Sequence, residues 1–121
     1  MKLGYCTITW GGVVGHPVGV TSVKDLFYLT PGSMHDAVRD IAAAGYQGVE
    51  MFDGNLADYA DRPDDLHSLL SDAGVELVSV YTGANFIYAD ILPDELHRIR
   101  RAAELAAPTL AAAYRAVGLK H

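Results

Sequence analysis

Val38-Arg39-Asp40-Ile41-Ala42-Ala43-Ala44-Gly45-Tyr46-Gln47-Gly48-Val49-Glu50-Met51-Phe52-Asp53 changes its hydrophobic period halfway along. Before Gly45, Val38, Ile41 and Ala42 recur at the spacing of one helix face. Ser33 with Asp36 three residues later supplies a capping-type start for that helix, and Gly45 supplies its stop. From Gln47 to Asp53 the period is two, with Val49 and Met51 on one face and Glu50 and Phe52 on the other. Helix, glycine and strand in this order form part of a repeating β/α arrangement.

The same grammar extends in both directions. Toward the C-terminus, Asp61 is expected to cap a second helix with Pro63 and Asp64 in its first turn. Leu66, Leu69, Leu70 and Ala73 form its stripe, and Gly74 closes it. A third strand is expected over Val75–Thr82. Pro93, Asp94 and Glu95 open a third helix with Leu96, Ile99, Ala103 and Ala106 on its buried face. Pro108 is expected to break it, leaving Thr109–Val117 as an alanine-rich fourth helix. Toward the N-terminus, Leu3–Trp10 reads as a buried first strand. A glycine-rich stretch, Gly11 to Gly19, then leads to Pro31, with room for a short helix over Ser22–Leu29.

The order β-α-β-α-β-α requires parallel strands, so the expected fold class is α/β. Its architecture is an incomplete TIM barrel of about three strand-helix units plus a terminal helix, one partial domain over residues 1–121. The junctions Ala44-Gly45-Tyr46 and Ala73-Gly74-Val75 recur as Val117-Gly118-Leu119, after which the sequence stops at His121. Since a closed eight-stranded barrel takes about 250 residues, truncation with open strand edges is the expectation.

Composition limits the partners. The chain is 50% hydrophobic and 20% charged, the balance of one soluble domain. Nine basic against fifteen acidic side chains leave a formal net charge of −6, which disfavours nucleic acid and anionic membranes. The single cysteine, Cys6, has no internal partner and fits a reducing cytoplasm. The N-terminus lacks a signal-peptide core, and no apolar stretch approaches the roughly 18 residues of a membrane span.

In parallel α/β folds, functional side chains gather at the carboxyl ends of strands. Glu50 is the leading candidate, because its alternation with Val49 and Met51 aims it into the barrel interior. A buried carboxylate there needs a partner, such as a sugar hydroxyl, a metal or a protein arginine. Trp10 and Tyr81 offer aromatic walls at strand ends, and both equally suit core packing. Asn85 lies just beyond the third strand. His16, in the glycine loop, is a candidate acid, base or hydrogen-bond donor over a pocket.

Other chemistries lack their signatures. Val13 stands where a dinucleotide fingerprint needs its second glycine, and no Gly-Lys-Ser or Gly-Lys-Thr follows. There is neither a Gly-x-Ser-x-Gly elbow nor a His-Glu-x-x-His helix. His35, His67 and His97 read as surface residues. Arg98, Arg100 and Arg101 read as a solvated face, with Asp94 and Glu95 placed to pair with Arg98.

Lys2-Leu3-Gly4-Tyr5 leading to Thr9-Trp10, the helix-Ala-Gly-Tyr-x-Gly-Val-Glu segment ending at Glu50, and Gly74-Val75-Glu76-Leu77-Val78-Ser79-Val80 together carry a family resemblance. Over residues 1–107 the chain resembles the xylose isomerase-like TIM barrels. The branch is that of sugar phosphate isomerases and epimerases, including inosose dehydratase-like proteins. The resemblance implies a sugar or sugar phosphate substrate lying over Trp10, Glu50 and Tyr81. It also implies a divalent metal held by two glutamates, an aspartate and a histidine, which polarises a carbonyl while a carboxylate moves the proton. In that family the ligands come from later strands, so this chain is expected to hold no metal tightly and to be inactive alone. The absence of histidine on the third strand argues against the endonuclease IV branch. The rival expectation is a non-catalytic half-barrel that self-associates through its open edges as a binding or structural module.

Overall fold

A computed structural model describes residues 2–11, 13–14 and 28–116, with the backbone course alone for 13–14 and 110–116. His16 and the Val117-Gly118-Leu119 junction lie outside the described residues. Strands β1 (Gly4–Cys6), β4 (Gly48–Phe52) and β5 (Glu76–Tyr81) form a parallel sheet in the order β1-β4-β5. A short antiparallel pair, β2 (Val13–Val14) with β3 (Tyr28–Leu29), stands beside it. The helices are α1 (Met34–Ala43), α2 (Asp53–Ala57), α3 (Pro63–Ala73) and α4 (Leu92–Ala116). This is a mixed α/β fold in a partial β/α arrangement, as its periods predicted.

Val49, Met51 and Leu77 are fully buried with Ala37, Val38 and Ile41 of α1, Leu66, Leu69 and Leu70 of α3, and Ala106 of α4. That cluster puts the helices on the Val49/Met51 face of the sheet. Glu50 and Phe52 take the other face. The caps of α1 follow the sequence reading: Ser33 Oγ accepts from the Asp36 N–H at 3.2 Å, and Gly45, at φ 87°, leaves the helix in a conformation that favours glycine.

Several expected boundaries are corrected. Only Gly4–Cys6 of the first segment pairs as a strand. Thr7–Trp10 coils into a 3-10 turn, because buried Thr7 is engaged by Thr30 Oγ1, 3.1 Å from the Thr7 carbonyl oxygen and 3.0 Å from Thr7 Oγ1. Tyr28–Leu29 is strand rather than the end of a helix. The N-cap of α3 is Arg62, one residue later than expected: the residue before Pro63 is forced out of the helical region, and Pro63 opens the helix. Helix α2, right after β4, has no counterpart in the sequence reading.

Strand β5 carries a bulge. Val49 pairs with Leu77 but Glu50 with Ser79, so Val78 is the extra residue and leaves the face of Val80. Val78 projects over Gly4 and Gly48; a Cβ on Gly4 would stand 2.9 Å from Val78 Cγ2, and one on Gly48 would be closer. The two glycines are therefore the footing of the bulge.

Helix α4 runs through Pro108 instead of ending there. The carbonyl that loses its donor belongs to Glu104, an exposed residue on the solvent side of the helix, and the nearby alanines favour helix. Its inward stripe is also rotated from expectation. Glu95, Ala102 and Ala106 are buried with half-buried Arg98, Ile99 and Leu105, whereas Leu96 is 49% exposed and Ala103 is exposed.

Candidate functional site

Two polar groupings emerge from this frame. The first is a row across the inner face of the sheet, where register sets Cys6 beside Glu50 and Glu50 beside Ser79. Ser79 Oγ donates to Glu50 Oε2. The half-buried Glu50 is thus partnered by a hydroxyl rather than by an arginine. One hydroxyl uses a fraction of a carboxylate's acceptor sites, so the group remains able to accept from a ligand or to take a proton. Burial, opposed by a hydrogen bond from the Ile8 backbone, pushes the Cys6 thiol up, and hydrogen bonding to Glu50 and its charge push it further.

A direct test of this row follows. Cys6 is expected to react with iodoacetamide at pH 8 more slowly than a free thiol, because less of it is thiolate. Glu50→Gln should speed the reaction several-fold while burial keeps it below the free rate; an unchanged rate would separate the two side chains.

The second grouping lies beyond the carboxyl ends of β4 and β5. Buried Asp53 accepts from the N–H groups of Tyr28 (3.1 Å) and Gly54 (2.9 Å) on Oδ1 and from Thr82 Oγ1 (2.7 Å) on Oδ2. Buried Glu95 accepts from the Asn85 N–H and from Arg98 Nη2, each at 2.8 Å. Arg98 Nη2 also donates to the Gly83 carbonyl, and Arg98 Nε stands 4.0 Å from Asp53 Oδ2. Among the described residues, Arg98 Nε and Nη1 are buried with no hydrogen-bond partner. The guanidinium is shared by two clefts, of about 740 Å³ toward α2 and about 430 Å³ toward the β5–α4 loop.

Aromatic rings join the two groupings. Tyr28 stands edge-on to Tyr81 with centroids 4.8 Å apart, and Tyr81 edge-on to Phe52 at 5.6 Å. Burial first, then the Tyr81 hydroxyl, holds the Tyr28 phenol above its ordinary value, with Arg98 opposing.

Of the candidates chosen from sequence, Tyr81 shares the inner face with Glu50 and is 44% exposed. Asn85 lines the smaller cleft, though its Oδ1 is taken by the Ile87 N–H at 3.0 Å. Trp10 goes elsewhere: its Nε1 donates to Asp40 of α1 at 3.4 Å and its ring meets Tyr5, on the helix side of the sheet. His16 lies outside the described residues. Sequence reasoning gave Tyr28 no role, reached Asp53 only as a position at the end of the second strand, and placed Glu95 as a partner of Arg98 but took that pair for a solvated face. The available signal was phase, since Glu95, Arg98, Ala102, Leu105 and Ala106 share one helical stripe.

The divalent metal implied by the resemblance does not fit the described residues alone. Among them no three His, Cys, Asp or Glu side chains converge, so no step is derived through a metal. Among them, too, no helix is long and apolar enough to cross a membrane.

Fold and polar groupings together define an α/β protein of partial β/α design with a carboxylate on the inner face of its sheet. Comparison with known proteins adds one relative. Over 47 residues the chain is 38% identical to the 3-dehydroshikimate dehydratase of Pseudomonas aeruginosa, a match that covers 39% of this chain and 7% of that enzyme. No protein-family model and no solved structure matches the chain.

Proposed function

We propose that this chain contributes the early β/α units of a barrel enzyme that moves a proton next to the carbonyl of a polyhydroxylated substrate, as isomerases, epimerases and dehydratases of sugars and related compounds do. The observation that carries this reading is Glu50, a carboxylate on the inner face of a strand, steadied by the Ser79 hydroxyl and flanked by half-exposed Tyr81. The similarity to a dehydratase supports it from a second direction.

In this reading Glu50 takes the proton from the carbon beside the carbonyl, and the C–H electron pair moves into an enediolate. Return of the proton to the neighbouring carbon completes an isomerisation, return to the opposite face an epimerisation, and loss of a β-hydroxyl as water a dehydration. Ser79 positions Glu50 by donating to one of its oxygens. A divalent metal, when bound, would stabilise the developing oxyanion with donors that the described residues do not assemble.

The protein bearing this chain, incubated in D2O with aldoses, ketoses and cyclic polyhydroxy ketones, is expected to place deuterium beside the carbonyl of its substrate. Glu50→Gln should slow that exchange by about 10²–10⁴-fold, the usual worth of a positioned general base. Exchange that is absent from every compound, or indifferent to Glu50→Gln, overturns the proposal.

A further inference from the structure

The larger cleft, of about 740 Å³, is walled by the segment leading into α1, by α2 and the turn after it, and by α4. None of Cys6, Glu50, Ser79 and Tyr81 lines it. Its volume is that of an ordinary small-molecule pocket. In a chain of net charge −6 with nine Lys and Arg, three arginines line this one cleft: Arg62, Arg98 and Arg101. Arg98 is committed to Glu95 and Asp53. The other two are available. Arg62 is exposed yet held, with its guanidinium 5.4 Å from the centre of the Tyr59 ring and its Nε donating to the Asp58 carbonyl at 3.3 Å. Its ion pair with Asp65 is loose, at 3.8 Å between side chains that are both more than half exposed, and competes weakly with a ligand. Arg101 is exposed and, among the described residues, has no hydrogen-bond or ion-pair partner. His97 lines the cleft one turn before it.

We infer that this cleft binds a small organic carboxylate carried on a flat apolar body. The charge balance selects a monoanion. Buried Asp53 is already engaged by three donors and by Arg98, which leaves exposed Asp58 as one lining carboxylate against the guanidiniums of Arg62 and Arg101. The apolar body follows from the rest of the wall, where Met34, Ala102 and Leu105 accompany Tyr59. Exposed arginines are screened by water, so burial of the body supplies most of the affinity and the arginines supply the preference for negative charge.

The test is a titration of the protein, followed through amide NMR shifts, with 2-naphthoate, its uncharged counterpart 2-naphthamide, and inorganic phosphate as probes. 2-Naphthoate is expected to shift the amides of residues 59–62 and 97–105 and to leave those of 48–52 unmoved. 2-Naphthamide should bind about tenfold more weakly, and inorganic phosphate, which lacks the apolar body, should shift none of these amides at equal concentration. Arg62→Gln and Arg101→Gln, both at exposed positions that leave the fold intact, should each weaken 2-naphthoate by about three- to tenfold and leave 2-naphthamide unchanged. Added salt should act in the same direction. The inference is overturned if 2-naphthoate shifts none of these amides, if 2-naphthamide or inorganic phosphate binds as tightly, or if neither arginine variant weakens 2-naphthoate. Proton exchange in D2O is read separately, so the function proposed for Glu50 stands or fails on its own test.

Discussion

Arg98→Met is expected to lower stability by about 3–5 kcal/mol, the usual cost of removing one partner from a buried ion pair. The size follows from what is left behind. Glu95, whose side chain is 3% exposed, keeps one backbone donor from Asn85 and loses the charge that offset its desolvation. The Gly83 carbonyl loses its partner as well. Adding Glu95→Gln to Arg98→Met should recover much of the loss, because an amide costs less to bury than an unpaired carboxylate. Urea unfolding measures both, and a shift of the midpoint at constant slope attributes the change to the native state. A loss below about 1 kcal/mol for Arg98→Met would place the pair in the class of screened surface bridges.

That pair also shows why part of the site was hidden in the sequence. Glu95 and Arg98 are three residues apart, and a pairing was legible from that spacing. Its burial was not, since a stripe sought among apolar residues alone selects Leu96, Ile99, Ala103 and Ala106 and so rotates the helix. The correct phase is decided by Leu105 and Ala106 packing against the rest of the core, a long-range contact that no local spacing records. Where the deciding interaction is local, the reading is close. Ser33 and Asp36 start α1, Gly45 and Gly74 close α1 and α3, and the alternation around Glu50 puts it opposite Val49 and Met51. Where one extra residue enters a strand, as at Val78, alternation gives the wrong face. The bulge rests on Gly4 and Gly48 from two other strands. Trp10 illustrates the same limit: a residue at the expected end of a strand points into the site only if the strand reaches that far, and β1 ends at Cys6.

Asn55→Ala is expected to cost about 3 kcal/mol and to concentrate its effect on residues 28–32. Asn55 makes a two-way clamp on one backbone position, accepting from the Thr30 N–H at 2.6 Å and donating to the Thr30 carbonyl at 3.0 Å. Both residues are buried, and so is Thr7, which Thr30 engages through its own side chain. Alanine leaves a buried N–H and a buried carbonyl without partners, at about 1–3 kcal/mol each before relaxation. Relaxation has a direction here, because among the described residues the other hydrogen bonds of the segment bearing Thr30 are those of the Tyr28 N–H to Asp53, of Thr30 Oγ1 to Thr7, of the Gly32 N–H to the Trp10 carbonyl and of the short pairing with Val13 and Val14, which is not part of the parallel sheet. Hydrogen exchange should therefore accelerate at Tyr28 to Gly32 far more than at Val49, Met51 or Leu77 in the core. Asn55→Asp tests the donor separately, since it keeps the acceptor for the Thr30 N–H and replaces the donor with an oxygen facing the Thr30 carbonyl. It is expected to destabilise at least as much as alanine at neutral pH and to recover as the carboxyl protonates. Since Tyr28 lines the smaller cleft and contacts Tyr81, loosening the clamp should also disturb that cleft without altering a residue that lines it. Uniform acceleration of exchange across the chain would instead make Asn55 a contributor to global stability and detach it from the cleft.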